Sequence, residues 1–326
     1  MVRIALISLV VAVGCATESS TAAVRWHAAA RCGGPPPTAR PAGYRHITNH
    51  VAADLGDPRH RGYDLVVSAD AAEQVLHGEL AYDAFAKSIE DEDVEVYACT
   101  GGAWRLVGQT RSDGEGRWTL ALTGTSRLPP GLHDLVVSLP ADRSGTTATA
   151  YVAHSGEAIF VCDIDGTLTE SENAIVPEVI FHDSVSSQPG AGAALSSLSA
   201  RGYQPVYLTA RPNRYAELTR RWLAAKGLPR GPVILQTDIT IPGDAALSAK
   251  KRALEALRAT GVRIAFGIGN RATDITAYGN VGLTAERIWI ESTQYASEIE
   301  PLVAKGLATA FKTYQALELQ SRRRTW

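Results

Sequence analysis

Residues 158–169 read Ala158-Ile159-Phe160-Val161-Cys162-Asp163-Ile164-Asp165-Gly166-Thr167-Leu168-Thr169, and this stretch decides the fold. The unbroken apolar run from Ala158 to Cys162 is what a strand covered on both faces requires. Two carboxylates, Asp163 and Asp165, follow at once, with Gly166-Thr167 behind them. Gly166 permits a tight turn that brings both carboxyls to one mouth. In that arrangement Asp163 can attack phosphorus as a nucleophile. Asp165 can give a proton to the leaving oxygen and later take one from water. A magnesium ion would relieve the repulsion between the carboxylate and an anionic phosphate. Taken alone, an Asp-rich turn after a strand is also an ordinary loop.

Working outward toward the C-terminus, helix-like and strand-like segments alternate. Helices are predicted over Ala191–Arg201, Tyr215–Lys226, Ala246–Thr260 and Asp274–Val281. Strands are predicted over Gln204–Leu208, Val233–Gln236, Arg263–Ile268 and Arg287–Ile290. Such alternation predicts an α/β fold, a Rossmann-like doubly wound parallel sheet with its chemistry at the carboxyl ends of the strands. Three more segments fall at those ends. Tyr207-Leu208-Thr209-Ala210-Arg211-Pro212 offers the Thr209 hydroxyl for phosphoryl oxygens, and Lys250 offers a positive charge. Gly269-Asn270-Arg271-Ala272-Thr273-Asp274 brings Asp274, which can complete a metal site. Each has a plain alternative, namely a helix cap for Thr209, a solvated charge for Lys250 and an N-cap for Asp274. Their joint appearance, in order, at strand ends and helix starts carries the functional reading.

From about Ala158 to Leu319 the chain resembles the haloacid dehalogenase superfamily, and within it the C-terminal domain of lipins and of Nir-type phosphatidylinositol transfer proteins. The likeness rests on Asp163-Ile164-Asp165-Gly166-Thr167, on Tyr207 to Arg211 with Thr209 where lipins have Ser, and on Gly269, Asn270, Arg271, Asp274, Ile275 and Tyr278. Lys250 aligns through the following Leu254 and Leu257. The resemblance implies a magnesium-dependent phosphatase with Asp163, Asp165, Thr209 and Lys250 as catalytic residues. It implies substrate contacts from Gly166, Thr167, Ala210, Arg211 and Asn270, and metal ligation by Asp163, Asp165 and Asp274. Phosphatidic acid is the substrate it points to, with another exported phosphomonoester or phosphoprotein as the alternative. Nir-type relatives, thought to have lost catalytic acids, leave open a non-catalytic phosphatidate-binding module; retention of both Asp163 and Asp165 argues against it. The intervals from Asp165 to Thr209 and from Thr209 to Lys250 are too short for an inserted cap domain. A capless, open site closed only by loops such as 170–183 is therefore expected, which suits a phosphate on a large molecule or a lipid surface.

The N-terminal half reads differently. Arg3 and the apolar run Ile4 to Val13 form an export signal over residues 1–15, too short for an ordinary transmembrane helix. Ala12-Val13-Gly14-Cys15 resembles a lipobox, which would place a lipid on Cys15; a simple cleaved signal is the other option. The lipobox-like ending points to a bacterial source. Residues 16–45 read as a flexible leader rich in Ala, Gly and Pro. Residues 46–155 carry short alternating segments, Val94–Tyr97, Trp104–Val107, Arg117–Leu122, His133–Leu139 and Thr147–Val152, separated by Gly and Pro turns. They predict a small β-sandwich ahead of a phosphatase-like domain over 156–326. The sandwich reads as a spacer, with Tyr97, Trp104 and Trp118 in its core and the acidic run Glu90 to Asp93 a solvated turn. In an oxidising compartment Cys32 and Cys99 could pair, leaving Cys162 in a buried strand.

Composition narrows the partners. At 326 residues with 45% hydrophobic and 20% charged content, the chain has the balance of a globular two-domain protein. A formal net charge of -2 supplies no basic field, so nucleic acid is not an expected partner. The triplet Arg322-Arg323-Arg324 reads as a solvated tail, and peripheral membrane contact is the minority option.

Overall fold

The computed structural model describes residue 32 and residues 42–83, 87–170, 185–236 and 244–323. The export signal, the greater part of the leader, the 171–183 part of the expected closing loop and Arg324 lie outside the described residues.

The first domain opens with helix α1 (Ile47–Leu55), which the alternating strand pattern did not reveal. Strands β1 (Arg61–Gly62), β3 (Gln74–Glu79) and β6 (Arg117–Leu122) form one sheet in the order β1-β3-β6. Strands β2 (Leu65–Ser68), β4 (Asp93–Thr100), β5 (Ala103–Arg111), β7 (Gly131–Ser138) and β8 (Gly145–Ala153) form the other, in the order β2-β8-β7-β4-β5. Leu76, Trp118 and Leu122 from the first sheet pack on Val94, Val96, Val137 and Val152 from the second. Period-two alternation puts these residues on the inner faces. Trp118 and Tyr97 are buried as expected, whereas Trp104 is only half-buried. Cys32 and Cys99 are joined by a disulfide, with Cα atoms 5.7 Å apart, which ties the leader to β4. Cys162 is free and buried.

The acidic run is more than a solvated turn. Glu92 is buried and accepts hydrogen bonds from Arg45 N at 2.8 Å and Asn49 Nδ2 at 2.9 Å, so it anchors the start of α1. Asp91 and Asp93 face Arg111, and Asp93 also faces Arg45.

The second domain runs β9 (Ala158–Asp163), α2 (Ala191–Ala200), β10 (Tyr203–Pro212), α3 (Ala216–Ala225), β11 (Val233–Gln236), α4 (Asp244–Ala259), β12 (Arg263–Gly269), α5 (Ala272–Asn280), β13 (Ile288–Glu291), α6 (Ala296–Ala304), β14 (Thr309–Phe311) and α7 (Tyr314–Arg322). The sheet order is β11-β10-β9-β12-β13-β14, and every pairing in it is parallel. The chain leaves β9 to one side for β10 and β11, then returns to the other side for β12 to β14. The carboxyl end of β9 therefore sits at the switch point of the sheet, where a crevice opens. One face of the sheet, with Val161, Val206, Leu208, Ile264 and Ile290, packs on Leu254, Leu257 and Ile275 from α4 and α5. The other face, with Phe160, Cys162, Phe266, Ile268 and Trp289, packs on Leu195, Leu198 and Leu317 from α2 and α7. Among the described residues no further domain is inserted between β9 and β10 or between β10 and α4.

The sandwich is not a detached spacer. Val66, Leu132 and Tyr151 belong to the same buried cluster as Val161 and Ile264. Asp64, whose side chain is fully buried, accepts from Thr149 N at 2.8 Å, from Val233 N at 2.7 Å and from Arg220. A second pair, Arg230 with Asp134, crosses the same seam.

Candidate active site

Three strand ends, of β9, β10 and β12, and helix α4 meet at the crevice, and local sequence explains how each delivers its side chain. After β9, Ile164 O accepts from Leu168 N at 2.8 Å, closing a turn in which Gly166 takes φ 76°. A side chain at Gly166 would be strained in that left-handed conformation. The turn leaves Asp163 and Asp165, both under a tenth exposed, on the same side of the sheet. Gly166 N donates to Thr169 Oγ1 at 2.8 Å, and Tyr314 Oη donates to Thr167 O at 2.8 Å, so the turn is pinned from within and from α7. After β12, Gly269 lets α5 come close, since a Cβ there would sit 2.5 Å from the Asp274 side chain. Asp274 lies in the first turn of α5, and its Oδ2 accepts from Asn270 N at 3.1 Å and Arg271 N at 3.0 Å. Arg271, not Asp274, is the N-cap; Asp274 is the third residue of the helix, and its contacts back to the cap aim its other oxygen, Oδ1, at Lys250.

Lys250 lies in the second turn of α4 and its ammonium bridges Asp163 Oδ1 at 2.8 Å and Asp274 Oδ1. Burial pulls the Lys250 pKa down, but the two carboxylates overcome that and hold the ammonium charged. Asp163 is pushed the other way. Burial raises its carboxyl most, Lys250 opposes, and Asp274 and Asp165 push it further, leaving it at about 7. On its second oxygen, Asp163 Oδ2 has the Thr167 hydroxyl 3.0 Å away, and that hydroxyl is also 3.0 Å from Asn270 Oδ1.

Asp165 has a different environment. Its Oδ1 accepts from Arg211 Nη2 at 2.7 Å and Nε at 3.0 Å, and its Oδ2 accepts from Thr209 Oγ1 at 2.7 Å. Thr209 Oγ1 in turn accepts from Arg211 N at 3.1 Å. Arg211 is 2% exposed and lies over the Trp222 ring, with Nη1 3.4 Å from Thr219 Oγ1. Arg211 thus clamps Asp165 from inside the domain, and both Asp165 oxygens are engaged by Arg211 and Thr209. Ala210 is half-buried at the same strand end and has no polar side chain to offer.

Charge decides what the cluster can hold. Asp163, Asp165 and Asp274 set three buried carboxylates against two cations, Lys250 and Arg211. The surplus is negative, it lies between Asp163 and Asp274, and the donors there are oxygens. A hard divalent cation fits that donor set. Among the described residues no group of three His, Cys, Asp or Glu side chains converges for a metal, so this chain would bring the Asp163–Asp274 pair.

Residues 160–292 match the model of the PITM 1-3 LNS2 domain, and residues 58–152 match that of the PITM 1-3 beta-sandwich domain. Residues 160–292 are thus similar to an LNS2 domain, with the haloacid dehalogenase-like fold expected from the sequence, behind a sandwich similar to that of the same proteins. Phosphatidic acid phosphohydrolase 1 of Saccharomyces cerevisiae is 27% identical over 56% of this chain and 24% of its own length. Membrane-associated phosphatidylinositol transfer protein 1 of Rattus norvegicus is 25% identical over 71% of this chain and 18% of its own. Phosphatidate phosphatase LPIN3 of Homo sapiens is 25% identical over 59% of this chain and 25% of its own. The chain thus spans about a quarter or less of the length of these three relatives.

Proposed function

We propose that the LNS2-like domain is a magnesium-dependent phosphomonoester hydrolase that works through an aspartyl phosphate on Asp163, with phosphatidic acid as its substrate. The observation that carries this reading is the division of labour between the two carboxylates of the β9 turn. Asp163 faces Lys250 and Thr167, while Asp165 is held by Arg211 and Thr209. Asp163 Oδ forms the bond to phosphorus as the ester oxygen leaves. Asp165, which would enter this step protonated, exchanges its Arg211 contact for that oxygen and gives it the proton. In the second half Asp165 takes a proton from water, whose oxygen bonds to phosphorus as the phosphorus–oxygen bond to Asp163 breaks, releasing phosphate and restoring the Asp163 carboxylate. Lys250 keeps a positive charge beside the nucleophile throughout, which favours the approach of an anion. Asp163 and Asp274 would hold magnesium, whose charge would offset that of the phosphate.

Names of the relatives support phosphatidic acid as the substrate, because a phosphatidic acid phosphohydrolase and a phosphatidate phosphatase are among them. The absence of an inserted domain among the described residues suits a substrate presented at a lipid surface. Among those residues no helix is long and apolar enough to cross a membrane. Export to the cell envelope is part of the proposal. It rests on residues 1–15 and on the Cys32–Cys99 disulfide, a bond that belongs to oxidising compartments.

The experiment is phosphate release from phosphatidic acid in mixed micelles with magnesium, beside a soluble phosphomonoester, for wild type and Asp163→Asn. Release from the lipid that needs magnesium and Asp163 supports the proposal. Release from the soluble ester alone keeps the chemistry and rejects the substrate. Binding of phosphatidic acid without any release would leave a recognition module.

A further inference from the structure

A cavity of about 290 Å³ lies at the seam between the domains, bounded by the edge strand β11, by α4 and by the sandwich. Its wall runs from Asn213, just past the carboxyl end of β10, to Thr260, just past the end of α4. Aliphatic side chains supply most of it: Leu65 from β2, Ile234 and Leu235 from β11, and Ala253, Ala256 and Leu257 from α4. Leu65, Ile234, Leu235 and Ala253 are only half-buried, so apolar surface is left short of partners in a seam that Asp64 otherwise ties shut. Close-packed interiors leave few such gaps, whereas small-molecule sites approach this size.

The polar groups in the wall are turned to other partners. Tyr63 Oη donates to Glu79 Oε1 at 2.8 Å, and Asn213 hydrogen-bonds toward that hydroxyl. Asp64 is satisfied by Thr149 N, Val233 N and Arg220, and Thr260 Oγ1 donates to Leu257 O at 2.6 Å. The His77 ring lies 4.9 Å from that of Tyr63, and loss of solvent there lowers its pKa, so it is neutral near pH 7. No unmatched charge faces the cavity, which therefore suits an uncharged, apolar ligand.

Its position beside the strand-end site narrows that ligand further. Asp163, Leu208 and Ile234 stand in register across β9, β10 and β11. The wall at Ile234 is thus two strand spacings, about 10 Å, from the place of Asp163 in β9. On α4, Ala253 follows Lys250 by three residues, about 4.5 Å along the helix. From Ala253 to Thr260 the wall continues for about 10 Å away from the carboxylates. A straight chain attached to a group held at Asp163 and Lys250 has this slot within reach.

We infer that the cavity receives the hydrocarbon chain of the phosphate ester whose phosphate meets Asp163, and so selects esters with a long apolar leaving group. The phosphate end of this inference rests on the phosphohydrolase reading; the chain end rests on the cavity.

Two measurements on the full chain test it. In the first, 1-octanol, the alcohol that octyl phosphate would release, is titrated and followed by saturation-transfer NMR. Ala256 is exposed on α4, so a larger ring there can fill the mouth of the cavity without disturbing the core. Wild type is expected to bind octanol, Ala256→Trp to bind it at least about tenfold more weakly, and Ala256→Ser to bind it as wild type does. No binding in wild type, or equal binding in wild type and Ala256→Trp, would overturn the inference. The second measurement is kcat/KM for soluble alkyl phosphates from butyl to octyl, with magnesium. It should rise about threefold per methylene in wild type and stay flat in Ala256→Trp. A profile that is flat in wild type, or equally steep in both, would separate the cavity from the reaction and reject the inference. Octanol binding without hydrolysis of any alkyl phosphate would reject the phosphohydrolase reading and keep the cavity as a hydrocarbon site.

Discussion

Asp64 and Asp163 are buried to a similar depth, one at the domain seam and the other at the strand ends, yet they are built in opposite ways. Asp64 accepts from two backbone N–H groups and one arginine, so its charge is matched and its oxygens are satisfied. Asp163 shares one lysine with a second carboxylate, and a third lies close by. Burial therefore pushes its carboxyl up to about 7. The seam shows what a structural carboxylate looks like when stability sets the design. The crevice shows a charge left short of partners, which is the state a metal and a phosphate ester can use.

Four measurements would break or sharpen that contrast. Asp163→Asn should lower turnover by on the order of 10⁴-fold, because it removes the proposed nucleophile. The same change should raise stability in chelator. With a folded pKa of about 7 against 3.8 unfolded, the native state binds the extra proton between those values. Asp163 thus costs stability as pH rises toward 7, and the neutral amide escapes that cost. A denaturant midpoint that falls in Asp163→Asn would place Asp163 in the same class as Asp64. Asp64→Asn should do the reverse, costing about 3–5 kcal/mol by leaving the Arg220 charge unpaired and setting an NH2 against one backbone donor, with turnover per folded molecule unchanged.

A third measurement probes the sandwich. His60 is buried, its Nδ1 accepts from Ala81 N at 3.3 Å, and its Nε2 lies 2.7 Å from Ser144 Oγ. Burial lowers its pKa to about 4 from 6.5, so the unfolded chain binds more protons between those values. Stability from the neutral ring is present above about 6.5 and is lost as pH falls to about 4, by about 3 kcal/mol. Denaturant unfolding across that window should show the loss in wild type and a flatter profile in His60→Gln. The smallest expected effect belongs to Arg211→Lys. Replacing the two-pronged clamp on Asp165 with a point charge should reduce kcat by about 10²-fold with KM little changed. An unchanged kcat would mean that Arg211 serves packing alone.

The predicted strands β9 to β13 and the helices between them were legible because each carries its own period and its own punctuation. Asp274 illustrates the limit of that legibility. Its place at a helix start was readable, but its double role, one oxygen bonded back to the cap of α5 and the other facing Lys250, needed the distance across the crevice. Arg211 marks a harder case. It stands in a motif that implies substrate contact, yet its partner Asp165 is 46 residues away, and no local pattern announces a clamp of that separation. Trp222 and Thr219, which brace it at helical spacing, were the available hint. Glu92, read within a solvated acidic run, and Asp64, not singled out, are the same case, since an acid reads as solvated until its donors are known. The short β1 and the final β14 carry too few residues to show a period at all.

The sequence by itself determined the two-domain plan, the parallel sheet and the identity of the carboxylates at its ends, because those follow from local periodicity and from residues adjacent in the chain. Tertiary structure alone decided which cation each carboxylate meets, that Asp165 is clamped while Asp163 is left with surplus negative charge around it, and that the sandwich is welded to its neighbour through Asp64. These are distances between residues far apart in sequence, and Coulomb interaction and desolvation depend on where charges sit and not on their order along the chain.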